Sequence, residues 1–346
     1  MNIYEGDILN QARDVGEGFE KYLYRDYASK IRELSKRSFR HVILTGMGSS
    51  YSSCMNAATI LRNSGVLCDL QITSQLLHYE LESINDKDLV VIVSQSGKSA
   101  EIVELTEKLR KNVYVVGVTN DALSPLGKRA DLLLELFMQS ETAVSTRNYI
   151  APLLLMHIFA KSFIGEWDVK ELQCCKRSLQ CLARTLEDFY AMKNSIADHI
   201  GIRDNLIFLA RGYSCCTGDA AALFVKEVAK HPAIYLEAAQ FRHGPYEIIG
   251  EGLTSIIFAP KDDCYCLMEN LARQIAEKGT KVVFITDSDM QFSEKAILVV
   301  RQEYVSQELA CINNIVPAQC IGSIIAELKK LKVGTFLYSS KVTAVQ

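Results

Sequence analysis

The chain has 346 residues, of which 49% are hydrophobic and 23% charged, and its formal net charge is −3. These values are typical of a soluble globular protein that is long enough for two domains. They argue against a nucleic-acid-binding surface, because no basic block or stripe stands out. No apolar run reaches the roughly 18–20 residues of a membrane span, so we expect no membrane segment.

The first seven residues are polar and acidic, which predicts that no signal peptide is present. Eleven cysteines, an odd number, then indicate reduced thiols in the cytoplasm, most of them small buried side chains. Their spacings do not match a zinc site, so we expect no metal. The turn at 46–50 lacks the third glycine of a dinucleotide fingerprint, and we expect no cofactor.

The predicted elements begin with a helical segment over residues 8–37 and continue as two similar sets. Each set has an apolar strand ending in a glycine-containing turn, then a helix, then three more apolar strands. The segments are 41–50, 54–62, 89–94, 112–120 and 131–136 in the first set, and 205–214, 220–229, 254–260, 281–289 and 296–300 in the second. The offset stays at about 165 residues, which indicates a duplicated unit. Residues 145–200 read as helices between the sets, and 306–331 as a final helix.

Short apolar strands that alternate with amphipathic helices are typical of parallel sheets covered by helices on both faces. The fold class predicted is therefore α/β, with two tandem doubly wound parallel-sheet domains and extra N-terminal, linker and C-terminal helices. The predicted regions are an N-terminal helical segment, a first domain, a helical linker, a second domain and a C-terminal helix with a tail: 1–34, 35–140, 141–200, 201–305 and 306–346.

The segment 93–99, Val-Ser-Gln-Ser-Gly-Lys-Ser, joins an apolar strand to a helical pattern. A helix start offers backbone N–H groups and the positive end of the helix dipole, and serine hydroxyls add donors without charge. This loop therefore predicts a phosphate site; the alternative is a serine-rich turn that only caps the helix. The equivalent segment of the second set, 258–263, has lost the hydroxyls and gained Asp262 and Asp263. We therefore expect one phosphate site per chain, in the first half.

These motifs resemble the SIS (sugar isomerase) family in its tandem form, over residues 35–140 and 200–305. The resemblance is carried by the turn at 46–50, the loop at 94–99, Lys-Glu at 226–227, Arg-His-Gly-Pro at 242–245 and Lys-Val-Thr at 341–343. The set is similar to the isomerase half of glutamine:fructose-6-phosphate amidotransferase and to related sugar-phosphate deglycases and deaminases. It implies flavodoxin-like domains that bind a hexose 6-phosphate derivative.

The resemblance also implies roles for individual residues. Glu227 matches the enolising general base, His243 the ring-opening histidine that reaches a neighbouring subunit's site, and Lys341 the C-terminal lysine that closes over the sugar. The residues expected to bind phosphate and sugar are Ser49, Ser50, Ser94, Gln95, Ser96, Ser99, Ser145 and Thr146. A shared His243 implies a homodimer or a larger symmetric oligomer.

Each catalytic assignment has a structural alternative. The alternative for Glu227 is a surface carboxylate paired with Lys226 or Lys230. His243 reads as part of the turn before a proline, and Lys341 as a residue of a solvated terminus.

Two departures from the family pattern limit the function. The chain starts with Met-Asn instead of a nucleophilic cysteine, so glutamine hydrolysis is not expected. Phe224 stands where the amidotransferase has a lysine, one helical turn before the glutamate. We therefore expect an enzyme that acts as deglycase, deaminase or isomerase on an amino-substituted hexose 6-phosphate. A non-catalytic phosphosugar-binding regulator and an amino-sugar synthase that uses free ammonia are the alternatives.

Overall fold

The computed structural model describes residues 1–201, 205–338 and 340–343, so the end of the predicted tail, 344–346, lies outside the described residues. The chain divides into two compact units. Unit A comprises residues 13–173 and 337–346, and unit B comprises residues 1–12 and 174–336. Helices α1 (Ile3–Tyr24) and α8 (Val169–Glu187) each contain a point at which the chain passes from one unit to the other.

Unit A is built on five parallel strands in the order β2-β1-β3-β4-β5. The strands are β1 (His41–Gly46), β2 (Cys68–Ile72), β3 (Asp88–Val93), β4 (Tyr114–Thr119) and β5 (Leu132–Glu135). The helices that lie wholly in this unit are α2 (Tyr27–Ser35), α3 (Ser49–Asn63), α4 (Thr73–Gln75), α5 (Ala100–Lys108), α6 (Pro125–Arg129) and α7 (Arg147–Phe163).

The central strand of unit A, β3, is buried at all six positions. Since successive side chains of a strand point to opposite faces, helices must cover both faces of this sheet. Ile102 and Leu105 of α5 pack with Val90 and Ile92 of β3 in one apolar cluster. Helix α3 packs against β1, β2 and α7. Almost all of α7 is buried, as expected for a helix that is apolar on every side.

Unit B repeats this design. Its strands are β6 (Asn205–Ala210), β7 (Ala233–Glu237), β8 (Leu253–Phe258), β9 (Lys281–Thr286) and β10 (Ile297–Arg301), all parallel, in the order β10-β9-β8-β6-β7. Its helices are α9 (Phe189–His199), α10 (Cys215–Ala229), α11 (Ala238–Phe241), α12 (Tyr265–Ala276) and α13 (Ala310–Leu328). Read from the other edge, the sheet has the strand order of unit A.

The predicted duplication and fold class are confirmed. Each strand of unit B begins 164–167 residues after its counterpart in unit A. The two strands that the sequence analysis missed, β2 and β7, occupy equivalent edges of the two sheets. Each buries only one of its five residues, and Asp69 and Gln71 also interrupt the apolar sequence of β2. Of the eleven cysteines seven are buried, which confirms that most are core side chains.

Helix α13 is the core helix of unit B, where it packs against α9 and α10. By length and composition it is long and apolar enough to cross a membrane, contrary to the expectation that the chain has no such segment. However, 89% of its apolar window is buried inside the protein. Core helices of soluble proteins pass the same test, so the length and composition of α13 are weak evidence for a membrane span.

Candidate functional site

The candidate site of unit A lies where β1 and β3 end. These neighbouring strands finish at the same level, with Gly46 paired to Val93. The chain continues to β2 on one side of this pair and to β4 on the other. In open parallel sheets, ligands bind beyond the carboxyl ends of the strands at such a reversal of strand order. The structure therefore brings the turn at 46–50 and the loop at 94–99 to the edge that the fold favours for a ligand.

The turn after β1 depends on glycine at two positions. A Cβ atom on Gly46 would lie 2.8 Å from the backbone of Ser50 and Tyr51, so a side chain does not fit. Gly48 has a φ of +52°, which L-residues with side chains rarely adopt. Directly after it, Ser49 and Ser50 begin α3 and are half-buried. Both predicted serines thus lie at the first turn of a helix, beside the end of β3.

Hydroxyl groups shape the loop after β3. Ser94 is buried, and its Oγ accepts a hydrogen bond from the N–H of Gly97 at 3.1 Å. Ser96 Oγ accepts from the N–H of Lys98 at 3.2 Å. Since each hydroxyl is the acceptor in these bonds, its own O–H is the group that is directed to a further acceptor. Both serines therefore have the chemistry needed to bind a phosphate oxygen.

The loop is also fixed to its surroundings. The carbonyl of Gln95 accepts hydrogen bonds from Asn120 N–H at 2.9 Å and Thr119 Oγ1 at 3.2 Å, both at the end of β4. Gly97 has a φ of +63°, and a Cβ atom there would lie 2.1 Å from Ser124 Oγ. These contacts hold the backbone of the loop close to the adjacent loop.

Ser99 stands at the N-cap of α5 with an extended backbone (φ −60°, ψ 144°). The N–H of Ala100, at the start of this helix, donates to the carbonyl of Thr343 at 3.0 Å. The C-terminal tail thus contacts the helix start that the sequence analysis assigned to phosphate. Nearby, the ammonium of Lys98 lies 2.6 Å from Asp121 and lowers the pKa of that carboxyl.

Lys341 anchors the same tail within unit A. Its Nζ donates to the carbonyl of Ala143 at 2.8 Å and lies 3.4 Å from Oε2 of Glu141. The contacted residues shortly precede Ser145 and Thr146, which were predicted to bind the sugar. The structure therefore brings Lys341 to the residues just before this predicted sugar-binding pair, although about 200 residues of sequence separate them.

Glu141 is the residue of this site that the sequence analysis missed. Its side chain is fully buried and accepts hydrogen bonds from Thr146 Oγ1 at 2.6 Å and Asn148 Nδ2 at 2.7 Å. Thr146 is buried at the start of α7, whereas Ser145 is partly exposed. Glu141 thus links the tail lysine to the threonine that was predicted to contact sugar. The sequence feature that could have identified Glu141 is its position as a single carboxylate in an otherwise uncharged segment, five residues before Thr146.

The two remaining predicted residues, Glu227 and His243, belong to unit B. Glu227 is half-buried near the end of α10, and Phe224, one turn earlier, is in the core. Lys230 follows the helix and donates from Nζ to the backbone carbonyls of Glu227 and Thr335. Burial lowers the pKa of Lys230, an effect that the nearby charge of Glu227 opposes. The hydrogen bond from Lys230 to Glu227 is thus made to the backbone carbonyl.

His243 lies in the turn after α11 and is exposed. Its N–H donates to the carbonyl of Gln240 at 3.0 Å. Gly244 follows with a φ of +115°, and then Pro245 opens a short 3₁₀ turn. This local structure presents the imidazole at the surface of unit B.

The loop of unit B equivalent to the phosphate loop uses its backbone N–H groups internally. Asp262 Oδ1 accepts from the N–H of Cys264 at 2.8 Å, directly before α12. The N–H of Lys261 donates to Asp287 Oδ1 at 2.7 Å. Carboxylates therefore stand where unit A has hydroxyls, and they are unfavourable for a bound anion.

Comparisons with known proteins agree with this architecture. The SIS domain model matches residues 34–162 and 201–321. Glutamine–fructose-6-phosphate aminotransferase (isomerizing) of Pyrococcus horikoshii is 26% identical over 334 residues, 94% of this chain and 55% of that protein. The chain thus spans about half the length of that relative.

Two solved structures share the fold. The C-terminal domain of glucosamine-fructose-6-phosphate aminotransferase from Francisella tularensis has a TM-score of 0.86 at 19% identity, covering 97% of this chain and 98% of that one. Glucosamine-6-phosphate deaminase from Thermotoga maritima has a TM-score of 0.78 at 16% identity, covering 99% of both chains. Since the family model matches well over half of its residues, this chain belongs to the SIS domain family and carries that domain twice.

Proposed function

We propose that this chain is an enzyme that releases an amine or ammonia from an amino-substituted hexose 6-phosphate, as a deglycase or a deaminase. The observation that carries the proposal is the serine-lined edge of unit A. There, the loop at 94–99 and the tail segment with Lys341 meet at the start of α5. A helix start with nearby hydroxyls binds a phosphate monoester, and a lysine next to it suits a sugar intermediate of negative charge.

The chemistry requires proton transfers and water. In a 1-amino-1-deoxyketose 6-phosphate, a base removes a proton from C1 and the resulting enaminol is protonated at C2. The aldimine so formed is hydrolysed by water to a hexose 6-phosphate and the amine. In a 2-amino-2-deoxyaldose 6-phosphate the proton moves from C2 to C1, and the ketimine releases ammonia. One carboxylate base therefore serves both reactions.

The proposal gives Glu227 the role of this base, because the SIS family pattern and its half-buried position on α10 agree with it. His243 passes the proton between the ring oxygen and the anomeric oxygen, a task suited to an imidazole near neutral pH. Lys341 stabilises the negative charge of the enaminol oxygen.

The names of similar proteins support the substrate class. One relative is named as an aminotransferase that acts with fructose 6-phosphate, and one structural neighbour as a deaminase of glucosamine 6-phosphate. Phe224 favours release over synthesis in the proposal. A buried phenyl ring cannot hold substrate hydroxyls as the lysine of the amidotransferase does. The enzyme is proposed to act as a homodimer, in which His243 serves the neighbouring subunit.

A turnover screen of the purified protein tests the proposal. The substrates are 1-amino-1-deoxyfructose 6-phosphate, glucosamine 6-phosphate, and fructose 6-phosphate with ammonia, and the products are hexose 6-phosphate and ammonia. We expect turnover by the wild type and its loss in Glu227→Gln, with phosphosugar binding retained. Glu277→Gln, at an exposed position of the same unit, is the matched control. Full turnover by Glu227→Gln contradicts the assigned base, and binding without turnover by the wild type supports a regulator instead.

A further inference from the structure

The turn that carries His243 depends on contacts outside it. Helix α11 has four residues, and an isolated helix of that length is not stable in water. Two contacts are apolar, since Ala238 and Phe241 are completely buried in the core of unit B. The third is polar and comes from Glu237, the last residue of β7.

Glu237 caps α11. Its Oε2 accepts hydrogen bonds from the N–H groups of Ala239 and Gln240, both at 2.8 Å. These are N–H groups of the first turn, which have no partner within the helix. The carbonyl of Gln240 in turn accepts from the N–H of His243 at 3.0 Å. A continuous series of hydrogen bonds therefore leads from the carboxylate of Glu237 to the backbone of His243.

Arg211 connects this cap to the neighbouring strand. It follows β6, whose last residue Ala210 pairs with Glu237. The Nε of Arg211 lies 3.6 Å from Oε1 of Glu237, with side chains 20% and 41% exposed. A pair with this exposure contributes little to stability. Its charge favours the orientation in which Oε1 of Glu237 faces Arg211 and Oε2 faces the N–H groups of α11.

We propose that Arg211 and Glu237 are positioning residues for His243. This inference rests on the proposed function, in which His243 opens the sugar ring. Without the carboxylate, the N–H groups of Ala239 and Gln240 turn to water and the turn loses its defined direction. A misplacement of about 1 Å near a reacting group costs roughly 100-fold in rate. Because the apolar anchors of α11 remain, we expect a smaller loss of about 10-fold in kcat.

Two substrates separate ring opening from the later steps. 1-Amino-1-deoxyfructose 6-phosphate closes its ring through the 5-hydroxyl, whereas the 5-deoxy analogue lacks that group and stays open. We expect Glu237→Ala and Arg211→Met to lower kcat about 10-fold on the first substrate, with kcat on the analogue and both KM values within about twofold of wild type. Glu237→Gln retains an oxygen that accepts N–H bonds and should recover part of the loss.

Controls keep the outcome decisive. Glu247→Ala, at an exposed position four residues after His243, should match the wild type on both substrates. His243→Ala should also lower kcat on 1-amino-1-deoxyfructose 6-phosphate and spare kcat on the open analogue, with a larger difference between the two substrates. If the Glu237 and Arg211 variants lose kcat equally on both substrates, the two residues have a structural role and do not position His243. Should Glu237→Ala not fold, Arg211→Met carries the same comparison. If the wild type turns over neither these two substrates nor any substrate of the turnover screen, the proposed function fails, and this inference with it.

Discussion

Replacing Glu141 by glutamine should destabilise unit A and loosen the tail that carries Lys341. The carboxylate is fully buried among donors: the N–H and Oγ1 of Thr146, the Nδ2 of Asn148 and the Nζ of Lys341. Glutamine places an amide NH₂, which only donates, where one of the two accepting oxygens stands. At least one buried donor then loses its acceptor.

The size of the effect follows from these contacts. A hydrogen bond to a charged group contributes about 1.5–3 kcal/mol, and a buried donor without a partner costs about 1–3 kcal/mol. We therefore expect Glu141→Gln to reduce the free energy of unfolding of unit A by about 3 kcal/mol. For a unit of roughly 170 residues this corresponds to a Tm about 6–12 °C lower.

Thermal unfolding followed by circular dichroism measures the change in Tm, and steady-state kinetics measure KM for the hexose 6-phosphate substrate. KM should rise, because the tail loses its ionic partner. Glu107→Gln, at an exposed position on α5 of the same unit, is the matched control. A Tm of Glu141→Gln equal to that of Glu107→Gln would refute the role given to Glu141.

Two further predictions concern the phosphate loop and a buried ion pair. The double variant Ser94→Ala, Ser96→Ala should bind fructose 6-phosphate at least about 10-fold more weakly by calorimetry, because it removes two donors to a charged group; unchanged affinity would move the phosphate site elsewhere. In unit B, burial opposes the charge on both Glu5 and Lys193, but their mutual hydrogen bond at 2.6 Å and their other partners prevail. The pKa of Glu5 is thus below its ordinary 4.5 and that of Lys193 above 10.5. The Glu5–Lys193 ion pair therefore stabilises the folded state fully at neutral pH. This stabilisation is lost as the pH falls from 4.5 through the folded pKa of Glu5. It is also lost as the pH rises past 10.5 through the folded pKa of Lys193. The Tm of Glu5→Gln should approach that of the wild type as the pH falls below 4.5, and parallel Tm curves would contradict the linkage.

Those features of the fold that depend on local pattern could be predicted from the sequence. Strands β1, β3 and β4 and their counterparts in unit B are apolar runs, because buried parallel strands need apolar residues on both faces. The loops at 46–50 and 94–99 were found because glycine and serine follow such runs directly. Edge strands β2 and β7, which bury one residue each, were missed, whereas the edge strands β5 and β10 were found from their apolar sequences.

The site contacts that join distant parts of the chain could not be derived in this way. Lys341 meets Ala143 and Glu141 across about 200 residues, and family resemblance alone pointed to the lysine. Glu237 was missed because its sequence context, the end of an unrecognised edge strand, gave no sign of a helix cap. Contacts of this kind depend on how the strands are ordered in the sheet, which local pattern does not specify.

The two repeats show how one fold edge serves different purposes. At the start of α5 in unit A, the N–H of Ala100 binds a neutral carbonyl from the tail. The neutral partner itself adds no negative charge at this helix start, where Glu101 is the acidic residue of the first turn. Before α12 in unit B, the carboxylate of Asp262 occupies the equivalent position and supplies the negative charge itself. A phosphate would meet repulsion there, which agrees with the expectation of one phosphate site per chain, in the first half.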